Sequence, residues 1–138
     1  MINYKSEEEI DLVRESSLLV AKTHAEIAKL IKPGISTLEL DKIAEEYIRD
    51  NNGVPAFKGY NGFPCTLCMS PNEQVVHGIP NNSPLVDGDI VSIDCGVLLD
   101  DFYGDSAYTF EVGEVSEEIK QLLEVTKECL NLAIDQSC

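Results

Sequence analysis

The stretch DIVSIDCGVLLDDFYGDSAYTFEVG, residues 89–113, holds two alternating apolar runs around a central pair of aspartates. This pattern reads as a β-hairpin whose turn is centred on Asp100-Asp101, between Leu99 and Phe102. That centre fixes the register, with Gly96 opposite Asp105 and Asp94 opposite Ala107. Side chains alternate faces along a strand. Val91, Ile93, Cys95, Val97 and Leu99 therefore form a core face. Asp94 and Asp105 share the other face as diagonal neighbours, roughly 7–8 Å apart at Cα. A one-residue bulge would put them on opposite faces.

Asp is depleted in strands, so two of them inside the runs call for a reason. Two such carboxylates on a half-buried face repel each other and are costly to desolvate. A hard or borderline divalent cation removes both penalties. Two ordinary solvent-facing aspartates would show the same spacing, and spacing alone leaves both readings open. Asp100 and Asp101 answer to turn chemistry and receive no role.

Outward from the hairpin the period changes. Ser6 and Glu9 form a capping box. Ile10, Val13, Ser17, Val20, His24, Ile27 and Ile31 then recur at helical spacing, which predicts a helix over 6–32 that Lys32-Pro33-Gly34 stops. A second box, Ser36 with Glu39, opens a helix over 37–52 with the stripe Leu40, Ile43, Ala44, Tyr47 and Ile48, ended by Gly53. Residues 54–112 alternate with Gly, Pro and Asn punctuation and read as antiparallel strands. Ser116 opens a last helix over 116–135, with Ile119, Leu122, Leu123, Leu130, Ala133 and Ile134 on its apolar side. The expected class is α/β in the α+β sense, as one domain over residues 1–138. The last helix approaches Cys138 without a stop signal, which fits either a chain end that frays or a chain that continues in a longer protein. His77, in NEQVVHGIP, closes a short apolar strand beside Gly78, where a side chain can face a cleft. His24 lies on the stripe of the first helix and reads as packing.

The net charge of −15 argues against nucleic acid and anionic membrane as partners. No run is long enough to span a bilayer, and MINYKSEEEI lacks the basic-then-apolar pattern of a signal peptide. An odd count of five cysteines fits a reduced compartment, and a cytoplasmic location is expected. Cys65 and Cys68 form a C-x-x-C, but residues three apart on a strand point to opposite faces, so they read as structural thiols rather than a zinc or redox pair.

Taken together, GYNGFPCTLCMSPNEQVVHGIP, DGDIVSIDCGVLLDDFYGDSAYTF and the two leading helices resemble type I methionine aminopeptidase, of the bacterial type without an N-terminal zinc-finger extension. The matching motifs are Asn72-Glu73, His77-Gly78-Ile79-Pro80, Gly88-Asp89, Ile93-Asp94 and Gly104-Asp105, and they cover the N-terminal half of that family's catalytic domain. The resemblance implies the "pita-bread" fold, two similar halves facing a dinuclear metal centre. It implies Asp94 and Asp105 as metal ligands, Asp94 bidentate on one ion and Asp105 bridging both. It implies His77 as the catalytic histidine against the scissile amide. It places Phe57, Tyr60, Phe63 and Cys68, with His77, around the methionine side chain. The implied reaction is hydrolytic removal of the initiator methionine, with two divalent ions (Co, Mn, Fe or Zn). The implied partners are the N-terminal methionine of nascent polypeptides and, as a further candidate, the ribosome.

In that family the remaining ligands, a His and two Glu, and the Glu base lie in the second half. The histidines here are His24 and His77, so the chain by itself is expected to bind metal weakly and to be inactive. Two other readings stay open. One is a catalytically dead pita-bread module used for binding. The other is a proline-specific peptidase of the same fold, against which the Gly59-Tyr60 to Pro64 segment and His77-Gly78-Ile79-Pro80 speak.

Overall fold

The computed structural model describes residues 4–137. Two helices, α1 (Glu7–Ala28) and α2 (Thr37–Asp50), lead into the strands β1 (Val54–Pro55), β2 (Leu67–Pro71), β3 (Ile90–Leu99) and β4 (Phe102–Glu111), and α3 (Glu117–Asp135) follows. β3 pairs with β1 and β2 on one side and with β4 on the other, all antiparallel.

Both leading helices start as their capping boxes dictate. Ser6 accepts from the Glu9 N–H while the Glu9 carboxylate accepts from the Ser6 N–H, and Ser36 with Glu39 repeats the exchange. Their far ends fall short of the expected bounds. α1 stops at Ala28 rather than 32, because the chain tightens into a turn in which the Leu30 N–H donates to the Ile27 carbonyl at 2.9 Å. Lys32, next to Pro33, is moreover steered away from helical geometry. α2 stops at Asp50 rather than 52, and the left-handed cap is Asn52 at φ 64°, not Gly53. Gly53 serves packing instead. A Cβ there would stand 2.8 Å from Leu19 Cδ2 and 3.0 Å from Val97 Cγ1, where α1 and β3 meet.

The core lies between the helices and one face of the sheet. Ile27, Leu40, Ala44, Ile48, Leu67, Met69, Val91, Ile93, Cys95 and Val97 are buried in it. The buried face of α1 is Ser16, Leu19, Val20, Thr23, His24 and Ile27. It is rotated from the expected stripe, which included the exposed Ser17 and Ile10. Small hydroxyl residues, Ser16 and Thr23, sit on the face that is buried. The Ser16 hydroxyl donates to the Val97 carbonyl at 3.0 Å and that of Thr23 donates to the Leu19 carbonyl at 2.8 Å, so polar atoms sit buried but satisfied.

α3 departs most from its sequence reading. Ser116 caps it as expected, but none of its side chains is buried, and Leu122, Val125, Leu130, Leu132 and Ile134 are all exposed. Amphipathic periodicity shows which face wants cover, not whether these residues supply it. A groove of about 760 Å³ opens between α3 and β4, lined by Ala107, Tyr108, Phe110, Leu123, Lys127 and Leu130 among others. Among the described residues, no helix is long and apolar enough to cross a membrane.

Candidate metal centre

The hairpin takes the register read from its sequence. Leu99 pairs with Phe102, Gly96 with Asp105 and Asp94 with Ala107, without a bulge. Asp100 and Asp101 both have positive φ, 49° and 66°, as a two-residue primed turn requires. Asp94 and Asp105 thus share the face opposite the core. Their carboxyl groups come close enough to share a hydrogen bond when one is protonated.

Burial, then the Asp105 charge and that shared hydrogen bond, push the Asp94 carboxyl up to about 6. Attraction to the His77 ring and the Cys95 N–H act in the opposite direction. The pair is an oxygen donor set whose own repulsion a divalent ion would relieve, which fits a hard or borderline metal. Among the described residues, no group of three or more His, Cys, Asp or Glu converges on a common point.

β2 brings Cys68 to the same face, directly opposite Asp94. Its thiol is buried and pushed up to about 11, first by desolvation and then by the charges of Asp94 and Asp105. It stays protonated at neutral pH and acts as a soft apolar wall rather than a thiolate ligand. Cys65 is also a free, buried thiol whose pKa burial raises. Phe57 reaches the face from the other end. Gly96 lies between Asp94 and the turn, and a Cβ there would stand 2.5 Å from Phe57 Cε1, so the ring lies on bare backbone. Phe63 is partly buried, while Tyr60 is 71% exposed in the 3₁₀ turn Tyr60–Gly62. The structure therefore gathers Phe57, Cys68, Asp94 and Asp105 on one face and leaves the Tyr60 ring in solvent.

His77 does not end a strand. Residues 73–80 form a loop, with Val75, Val76 and Ile79 exposed, so the alternation there belongs to no sheet. A left-handed residue, Asn72 at φ 50°, ends β2. The Asn72 amide donates to Asp89 Oδ1 at 2.8 Å, and its carbonyl oxygen accepts from the Ile90 N–H at 3.1 Å, which ties the start of the loop to the start of β3. The far side folds back onto β2, where the Met69 N–H donates to the Gly78 carbonyl at 2.9 Å and the Gly78 N–H to Ser70 Oγ at 3.0 Å. Between these anchors His77 is held exposed at φ 58°, a strained value for a residue with a Cβ.

Sequence reasoning passed over Asp41. It is buried on α2, and its Oδ1 accepts from the backbone N–H of Thr66 at 3.0 Å and of Leu67 at 2.8 Å. This fixes the approach to β2 just before Cys68. Desolvation raises its pKa against the pull of those two bonds. The available signal was an Asp next to Leu40 on the buried side of the α2 stripe.

The model of metallopeptidase family M24 matches residues 11–138. The chain belongs to metallopeptidase family M24. It is 50% identical over 137 residues to methionine aminopeptidase 1 of Bacillus subtilis, covering 99% of this chain and 55% of that one. It is 54% identical over 129 residues to methionine aminopeptidase of Borreliella burgdorferi, covering 94% and 51%. The crystal structure of methionine aminopeptidase from Thermotoga maritima superposes with a TM-score of 0.93 at 39% identity, over 97% of this chain and 54% of that one. Aminopeptidase P from E. coli, at 23% identity and a TM-score of 0.80, shares the fold. The helices and antiparallel sheet of this M24 chain match the pita-bread architecture of those structures. The chain spans about half the length of the curated relatives it matches.

Proposed function

We propose that this M24 chain supplies one wall of a methionine aminopeptidase site, which hydrolytically removes the N-terminal methionine of nascent polypeptides. The observation that carries the reading is the convergence of Asp94 and Asp105 on one face, with Asp94 lifted to about 6 by burial and by its neighbour. The names of the relatives at 50% and 54% identity support it.

Asp94 and Asp105 would hold two divalent ions of the Co, Mn, Fe or Zn type. When bound, such ions acidify water and polarise a carbonyl. The residues of this chain do the rest of the work on this wall. Phe57, Phe63 and Cys68 present an apolar, polarizable surface to an unbranched thioether side chain and keep water from it. Tyr60, exposed now, would cover that side chain once substrate is in place. His77 would donate an imidazole N–H to the scissile amide, and the anchoring of its loop at Gly78 supports that role by limiting where the ring can go. Nascent chains emerge at the ribosome, which makes the ribosome a candidate partner and the cytoplasm the expected location.

Two carboxylates leave most coordination positions to water, so the 138-residue chain by itself should bind Mn²⁺ or Co²⁺ weakly and turn over no substrate. Calorimetric titration should show binding that Asp94→Ala and Asp105→Ala remove, and equal affinity in the double variant would refute the ligand assignment. The activity is tested by fusing this chain to the second half of the Bacillus subtilis relative. Methionine release from Met-Ala-Ser is expected, with loss in Asp94→Ala. A folded, metal-loaded fusion without release would favour the reading as a binding module.

A further inference from the structure

We propose that His24 is a positioning residue for Asp105, holding that carboxylate in place from the opposite side of the sheet. The proposal rests on the reading of Asp94 and Asp105 as metal ligands.

β4 is an edge strand, bonded among the described residues to β3 alone. Its core face lies against α1, and α1 grips it at the two residues that flank Asp105. On one side is Gly104, where a Cβ would stand 2.6 Å from the Ser17 nitrogen and 2.7 Å from the Ser16 carbonyl carbon. Only a residue without a Cβ lets the helix backbone sit so near. Ser16 secures the same level by donating to the carbonyl of Val97, the register partner of Gly104. On the other side is Ser106, whose carbonyl oxygen lies 2.9 Å from His24 Nε2. A carbonyl can only accept, so Nε2 carries the proton. Asp105 stands between these grips with its side chain on the opposite face.

The chemistry at position 24 points to this use. The site lies on the buried stripe of α1 with Leu19, Val20 and Ile27, a stripe that apolar side chains otherwise dominate. Among the described residues, the histidine leaves its Nδ1 buried without a partner, a cost that packing alone gives no reason to bear. Burial lowers its pKa, which keeps the ring neutral with one proton to place. What the ring adds over leucine is the hydrogen bond to Ser106 and a tilted contact with the Phe110 ring, centroids 6.1 Å apart, and of the two only the hydrogen bond holds the backbone beside Asp105. Metal ligands tolerate little displacement, and the groups that orient them from behind commonly set affinity.

The test compares the parent chain with His24→Leu and His24→Gln. It reads the thermal midpoint, amide hydrogen exchange across residues 103–108 without metal, and Co²⁺ affinity. His24→Leu is expected to keep its thermal midpoint. It should speed exchange at Gly104 and Ser106 about tenfold relative to Val91 and Ile93, and weaken Co²⁺ binding about tenfold. His24→Gln, with an amide donor in reach of the same carbonyl, is expected to restore both. A folded His24→Leu with parent-like exchange and affinity overturns the proposal. So does a His24→Gln that fails to rescue. Should His24→Leu not fold, His24→Asn, too short to reach the carbonyl, takes its place with the same losses expected. If neither folds, His24 serves the fold and not the site, and the proposal falls. Parent-like Co²⁺ affinity in Asp105→Ala refutes the metal reading instead, and the exchange comparison still decides whether His24 holds β4.

Discussion

The carboxyl groups of Asp94 and Asp105 meet diagonally across the β3–β4 hairpin, close enough to share a hydrogen bond. Without metal, this arrangement costs the fold. Asp94→Asn removes one of the repelling charges and keeps the shape. The metal-free variant is expected to gain about 1 kcal/mol at pH 7 after solvent screening, while Mn²⁺ binding is lost. Urea unfolding and titration calorimetry check the two halves of this trade. A less stable Asn variant would show that the pair supports the fold.

The same pair sets a pH dependence with a definite sign. Asp94 is lifted from its ordinary 3.8 to about 6, so between those values the folded chain holds a proton that the unfolded chain has released. Its contribution is most favourable at the acid end and is lost as pH rises through about 6. His24, held below its ordinary 6.5 by burial, works the other way and removes stability as pH falls through that region. The comparison of parent with Asp94→Asn isolates the carboxylate. The advantage of the variant should grow from pH 4 to pH 7, in unfolding curves collected at each pH. An advantage independent of pH would rule out titration as its cause.

Asp41 links α2 to the approach of β2 through two backbone N–H groups. Asp41→Ala strands both donors in the interior, at a cost of about 2–4 kcal/mol. Asp41→Asn keeps an acceptor oxygen and should cost roughly half of that. Thermal unfolding measures both, and equal losses would mean that the charge rather than the acceptor matters.

α3 should be energetically silent in this chain. Leu130 is 60% exposed and Leu40 is fully buried. Leu130→Glu is expected to change unfolding free energy by less than about 0.5 kcal/mol, whereas Leu40→Ala should cost about 2–5 kcal/mol. The exposed apolar face also predicts self-association of the parent, which Leu130→Glu should reduce in sedimentation runs at high concentration. A clean parent monomer at that concentration would speak against it.

How far the sequence could be read depended on whether the signal was local. Ser6 with Glu9 and Ser36 with Glu39 placed two helix starts, because a capping box is closed within four residues. The Asp100-Asp101 turn placed the whole hairpin, and parity then carried Asp94 and Asp105 to one face. The ends of α1 and α2 were less legible, since turns and packing around Leu30 and Gly53 decided them. The alternation before His77 imitated a strand because periodicity takes no account of pairing. That segment is a loop anchored by Asn72, Ser70 and Met69.

The sequence by itself determined the register of the hairpin, and with it the shared face of the two aspartates, because period-two geometry leaves no freedom once the turn is set. Only the tertiary structure decided what surrounds them. Cys68 comes beside Asp94 through β2, Phe57 rests on Gly96, and α1 grips β4 on both sides of Asp105. The tertiary structure also decided that the apolar stripe of α3 stays bare. These are contacts between residues far apart in the chain, set by how helices and strands pack, and no local pattern encodes them.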